Sequence, residues 1–314
     1  MSTTTDEEAT ELIHLSYDGN FQLETDARVI LCKVINDESS TNNKIDEKNV
    51  EKDSGDVIRV ELQLDKTSMH PQGGGQPTDI GFITSNHTID SDDDNDNKHC
   101  ATVAKIDKVT IDRSTGIVTH SGTVLTKTAK NNNNDAAEAA FDDLFPPNSS
   151  VTVNVDATNR TLLSECHTAG HVVDAAMAKC NKLLPPTKGY HFLDGPYVEY
   201  KGSIDIADRT EFLSQLQESY QQLINEDIDT QIQTLLVDEA EEWCNRLAKN
   251  FNMKDFTTSS DEIPTVRVVT VAGWNCPCGG THVKSTGLLK ERGWCVKGLK
   301  CKKGVVRVRY GMKD

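Results

Sequence analysis

The sequence predicts an α+β protein in two parts, a β-rich part up to about residue 150 and a mixed α+β part beyond it. Three observations carry this. Runs rich in β-branched residues fill the first half. One long helical pattern occupies residues 160–184. Strand-like runs then return near the C-terminal end. With 314 residues there is room for two domains, 1–150 and 151–314, each able to bury a core. Aromatic residues make up only 5%, so those cores are expected to be aliphatic.

Taken in order, residues 21–35 (FQLETDARVILCKVI) and 57–65 (VIRVELQLD) read as strands, the second with period-two alternation. Residues 36–56 between them are polar and charged with no apolar period, which marks a loop insertion. Residues 91–98 and 131–140 read as two more such insertions. Within residues 67–81, Gly73, Gly74 and Gly75 lie between Pro71 and Pro77. That run suits neither a helix nor a strand interior, so it is expected to be a loop whose backbone comes close to something. Gln76 and Asp79 are expected near the boundary of the two parts; the bland alternative for Gly73 to Gly75 is a tight turn that packs the two parts together. Strands are expected at 101–111, 115–125 and 151–155, then a turn or helix start at 156–160. From 160 to 184 apolar residues recur at helical spacing until Pro185 and Pro186 end the pattern. A strand near 197–201, two acidic amphipathic helices across about 205–250, and strands at 265–271 and 304–310 complete the reading.

Charge is unevenly spread. The net charge of −16 argues against a partner rich in phosphate. Residues 204–242, however, hold eleven acidic residues and one Arg, while residues 284–314 hold ten Lys plus Arg against two acids. A basic C-terminal segment is compatible with RNA binding at one face, and equally with an ordinary soluble surface. No run of 18 apolar residues occurs, and the acidic start MSTTTDEEATELIHL has no secretory or transit character. The expected location is the cytoplasm, with no membrane association.

Nine cysteines without a secretory signal argue against a disulfide framework. Two short motifs carry chemistry. His167 and His171 are four residues apart in the helical pattern, so both imidazoles share one face and can reach one metal ion. Thr168 follows the first histidine where a zinc peptidase helix has its glutamate base, so that chemistry is absent. In Cys278-Gly279-Gly280-Thr281-His282 the glycines favour a tight turn that brings thiolate and imidazole to one point. Thiolate and neutral imidazole suit zinc, and His167, His171, Cys278 and His282 complete a tetrahedron. Cys276 is a rival to Cys278; Pro277 between them turns the two to different sides, which favours Cys278.

The Gly73–Gly75 loop with Gln76, Pro77, Asp79 and Gly81, the His167-to-His171 helix and the Pro277-to-His282 turn occur in this order. Together with Asp156, Arg160 and Lys302-Lys303-Gly304, they resemble the editing domain of alanyl-tRNA synthetase and its freestanding AlaX-type relatives. The resemblance covers nearly the whole chain apart from the three insertions. It implies a small N-terminal β-barrel carrying the Gly-rich loop, then an α+β zinc domain. It implies hydrolysis in trans of tRNA(Ala) mischarged with serine or glycine, one Zn2+ per chain and no nucleotide cofactor. No synthetase core or anticodon module is visible. Zinc there either lowers the pKa of a bound water or anchors the substrate's amino group; four protein ligands favour the second role. Thr168 and Thr281, each beside a ligand, and Gln76 are candidate catalytic residues that hydrogen-bond the substrate or the ligands. Lys297, Lys300, Lys302, Lys303, Arg307 and Arg309 are candidate phosphate contacts for the acceptor stem. Two other classes compete: a non-catalytic zinc module that binds tRNA or a protein, and a zinc hydrolase of another ester or amide.

Overall fold

The structure, a computed structural model, describes residues 9–35, 58–88, 101–125, 144–257 and 264–313. The expected insertions at 36–56, 91–98 and 131–140 lie outside the described residues. Two compact units form. The first comprises Met1–Leu12, Leu23–Pro71 and Asp79–Asp156; the second comprises Ile13–Gln22, Gln72–Thr78 and Ala157–Asp314. No helix among the described residues is long and apolar enough to cross a membrane.

The first unit is a closed six-stranded barrel, as the resemblance implied, but the Gly-rich loop expected to belong to it, Gln72–Thr78, groups with the second unit. Two short strands, β1 (Glu11–Leu12) and β4 (Lys66–Thr67), pair beside it. The barrel strands are β2 (Glu24–Ile35), β3 (Ile58–Leu64), β5 (Gly81–Thr88), β6 (Ala101–Ile111), β7 (Val118–Val124) and β8 (Ser150–Val155). They close in the order β2-β3-β7-β6-β5-β8, every pair antiparallel. The period-two pattern explains the interior: Val60, Leu62 and Leu64 of β3 alternate with outward residues and meet Val29, Val118, Val151 and Val153 in one aliphatic core. His120 of β7 sits inside, its ring nitrogens 3.2 Å from Leu62 O and 2.9 Å from Thr67 Oγ1. Burial lowers its pKa to about 4, so the ring is neutral. The Asp79 carboxylate accepts the His70 N–H at 2.6 Å within this unit.

The second unit is built around α1 (Ala157–Lys179). The sequence predicts this helix to residue 184, but it stops five residues earlier. Asn181 takes a positive φ of 56°, and its N–H bonds Ala178 O while Lys182 N–H bonds Met177 O, a Schellman ending. The turn is thus made by Asn181, ahead of the two prolines. Two sheets flank the helix. The four-stranded one has the order β14 (Cys295–Lys302), β15 (Val305–Gly311), β10 (Tyr197–Lys201), β9 (Pro186–Tyr190). The three-stranded one runs β11 (Gln231–Leu236), β12 (Thr265–Val271), β13 (Trp274–Pro277). Between β14 and β15, Lys303 and Gly304 both have positive φ, as a two-residue hairpin turn requires. The acidic region holds α2 (Arg209–Asn225) and α3 (Val237–Asn245), but β11 lies between them, a strand that the helical reading passed over. Phe212, Leu216, Tyr220 and Leu223 of α2 pack with Val172, Val173 and Met177 of α1 in the main core. Ala240 and Cys244 of α3 join Val266 and Val268 in a smaller one.

Candidate metal centre

Helix α1 is buried on its polar side as well as its apolar one, so its polar residues need partners. Glu165 accepts Trp294 Nε1–H at 2.8 Å and pairs with Arg292 at 3.1 Å. Asp174 accepts the Tyr200 hydroxyl at 2.6 Å. One turn apart on the same side lie His167 and His171, their rings stacked with centroids 5.1 Å apart. The strand β13 ends at Pro277, and the turn after it delivers Cys278 and His282 to these rings. One ligand atom from each of His167, His171, Cys278 and His282 lies within 4.8 Å of the other three.

The donor geometry fits a tetrahedral ion. Cys278 Sγ is 3.4 Å from His167 Nε2 and 3.4 Å from His282 Nε2. Tetrahedral zinc with ordinary Zn–S and Zn–N lengths sets that edge at about 3.6 Å. His171 Nε2 is buried without a hydrogen bond among the described residues, which is the state of a ligand atom turned toward an ion. Thiolate character is also favoured at Cys278. Burial acts to raise its pKa, but His171, Arg267 and the Gly280 N–H outweigh that and hold the thiol below its ordinary value. Burial pushes the Cys276 thiol far up instead. Burial would lower the His171 pKa, yet Asp174 and Cys278 together push it up to about 9.

Outer groups adjoin each imidazole. Thr281 N–H points at Gln76 Oε1 at 3.0 Å, and a backbone amide only donates, so that atom is the amide oxygen. The same oxygen is 2.7 Å from His167 Nδ1. Nδ1 therefore carries the proton, and the Nε2 lone pair faces the cluster. Gln76 Nε2 donates in turn to Thr281 Oγ1 at 2.9 Å, which shares a hydrogen bond with Ser164 Oγ at 2.7 Å. Asp174 Oδ2 lies 3.4 Å from His171 Nδ1, a carboxylate–histidine arrangement common behind metals. Thr168 Oγ1 is 3.2 Å from His282 Nδ1 and accepts Val283 N–H at 3.2 Å. Asn20 clamps the His282 backbone from both sides, accepting its N–H at 3.0 Å and donating to its carbonyl at 2.8 Å. Arg267 donates to Cys278 O and, at 2.7 Å, to Leu15 O. Gly280 has no side chain because a Cβ there would collide with the His167 ring.

Gln76, Thr168 and Thr281, singled out from the sequence, thus adjoin the four candidate ligands, and all three side chains are fully buried. Asn20, Ser164, Asp174, Arg267 and His191 were not singled out. Asp174 and Ser164 sit three residues from a histidine on the same helix, a spacing that marks them in hindsight. Asn20 and Arg267 have no local signal. His191 stacks on His167 with centroids 4.2 Å apart, and burial lowers its pKa to about 3. The basic candidates stand apart from the cluster on β14, β15 and their turn. Lys297, Lys300, Lys302, Lys303 and Arg309 are exposed. Arg307 is not a free cation: Glu199 holds it at 2.6 Å.

Comparison with known proteins follows the same line. The family described as Threonyl and Alanyl tRNA synthetase second additional domain matches residues 266–309, a stretch that includes Cys278 and His282. "Alanyl-tRNA editing protein AlaX-M" of Methanosarcina acetivorans is 28% identical over 231 residues, 72% of this chain and 79% of the relative. "Alanyl-tRNA editing protein AlaX-L" of Pyrococcus horikoshii is 26% identical over 238 residues, 74% of this chain and 47% of the relative.

Proposed function

From the premise that this chain is a relative of the AlaX-type alanyl-tRNA editing proteins, we propose that it is an aminoacyl-tRNA deacylase acting in trans on mischarged tRNA(Ala), in the cytoplasm. The observation that carries the reading is the cluster of buried His167, His171 and His282 with half-buried Cys278. These four hold one Zn2+, which supplies either a water of lowered pKa or an anchor for the substrate's amino group, and four protein ligands favour the anchor.

The chain's own residues do the positioning. Gln76 sets the His167 tautomer, Asp174 orients His171, and Thr168 with Asn20 steadies His282. Thr168 and Thr281 act here as positioning residues, since their hydroxyls already bond ligands or ligand partners. An acyl ester is labile, so orientation and charge stabilisation suffice for its hydrolysis.

Serine is the preferred acyl group and glycine the second. A site that hydrogen-bonds the serine hydroxyl leaves polar groups unpaired when alanine enters, and so spares the correct product. Glycine offers no group for that device. Acceptor-stem phosphates fall to Lys297, Lys300, Lys302, Lys303 and Arg309, while Arg307 is neutralised by Glu199 and drops out of this set. The test is parallel deacylation of seryl-, glycyl- and alanyl-tRNA(Ala). Serine should be released fastest and alanine retained. No turnover of any of the three by folded, zinc-loaded protein would leave a tRNA- or protein-binding module instead.

A further inference from the structure

The four-stranded sheet presents two chemically different faces. Val198, Tyr200, Val306, Val308 and Tyr310 point into the core. Strand alternation sends the intervening residues to the opposite face. There Lys188, Lys201, Lys300, Lys302, Arg307 and Arg309 share the strands with one carboxylate, Glu199. None of these seven side chains is buried.

Aromatic rings are interleaved with the cations. Tyr190 lies nearly parallel to Phe192, with centroids 4.6 Å apart, and to Tyr197, at 5.2 Å. The Arg307 guanidinium is 4.0 Å from the Tyr197 ring centroid, and the Lys188 ammonium is 5.8 Å from it. Half-exposed rings among cations on an open sheet suit unpaired nucleotides, because every base has a face to stack and every phosphate a charge to neutralise. An acidic protein segment would use the cations but gain little from a run of parallel rings.

We infer that this outer face is a stacking platform for the unpaired 3′-terminal nucleotides of the RNA, a reading that rests on the proposed activity. Position in the chain supports it. Tyr190 is followed directly by His191, whose buried ring stacks on His167 of the metal centre. An aminoacyl group at that centre hangs from the terminal ribose, so the nucleotides just before it must lie close by.

The experiment measures binding of two uncharged acceptor-stem hairpins to the full-length, zinc-loaded protein at fixed salt. One hairpin has a short single-stranded 3′ overhang and the other is blunt. The overhang should tighten binding about tenfold. A Tyr190→Leu/Phe192→Leu variant keeps apolar volume and should bind both hairpins at the blunt level. Tyr197→Leu, farther along the sheet, should lose part of the preference and serves if the double variant does not fold. Lys300→Ala/Lys302→Ala should weaken both hairpins alike and flatten the salt dependence. Equal binding of the two hairpins by the wild type overturns the inference, as does a folded leucine variant that keeps the preference. Displacement by an acidic peptide without any overhang preference would assign the face to a protein partner. Because the RNA is uncharged, the two readings fail separately. Overhang preference without hydrolysis removes the activity and leaves the platform; hydrolysis without preference does the reverse.

Discussion

Replacing Gln76 by alanine removes three hydrogen bonds at once: from Thr281 N–H at 3.0 Å, from His167 Nδ1–H at 2.7 Å, and to Thr281 Oγ1 at 2.9 Å. All the groups involved are buried. Thr281 N–H and His167 Nδ1–H lose their acceptor, and each buried unpaired group costs about 1–3 kcal/mol. A water entering the vacated space offsets part of that, so the fold survives with reduced stability. The larger consequence falls on His167, whose ring is no longer held with Nε2 toward Cys278. Loss of such an outer partner lowers metal affinity about 10- to 100-fold. Gln76→Glu keeps an oxygen facing both donors and should lose far less. The assay is a zinc competition titration against a chromophoric chelator, with far-UV circular dichroism to verify folding. A folded Gln76→Ala protein that binds zinc as tightly as wild type would refute the argument that Gln76 sets the ligand's orientation.

The other predictions concern neighbouring residues and the barrel. Cys278→Ser should abolish stoichiometric zinc in elemental analysis, whereas Cys276→Ser should retain it; the opposite pattern would move the thiolate ligand to Cys276. Gly280→Ala places a methyl group against the His167 ring and 2.7 Å from Gln76 Oε1, so the purified variant should be zinc-depleted with its secondary structure intact. His120 has a folded pKa of about 4 against 6.5 unfolded, so only the unfolded chain takes up its proton as pH falls from 6.5 to 4. Its effect on stability is therefore flat above pH 6.5, declines by ~3 kcal/mol between those values, and levels off below. Urea melts at a series of pH values should show a shallower acid loss in His120→Gln than in wild type; parallel slopes would contradict this.

The two halves of the candidate centre were legible because each is local. His167 and His171 need only helical spacing, and Cys278 and His282 only a glycine turn. Gln76 was marked by its Gly-rich loop, although its actual partners, Thr281 and His167, are distant in sequence. Asn20 was invisible for the same reason: it reaches His282 across 262 positions, and nothing near it in sequence announces a clamp. Strands with continuous β-branched runs, such as VTVNV in β8, were read correctly. PTKGY of β9 and CVKGLKCK of β14 were passed over, because their pairing partners rather than their composition make them strands. The basic residues were found by composition, but the Arg307–Glu199 pair that neutralises one of them depends on sheet register.

The most direct test of the central claim is single-turnover hydrolysis of seryl-tRNA(Ala) by wild type and by the His167→Ala/His171→Ala variant, each verified as folded. Rapid release of serine by the wild type and none above background by the variant is the predicted result. Equal rates from the two proteins would mean that the cluster around His167 is not where the ester is broken.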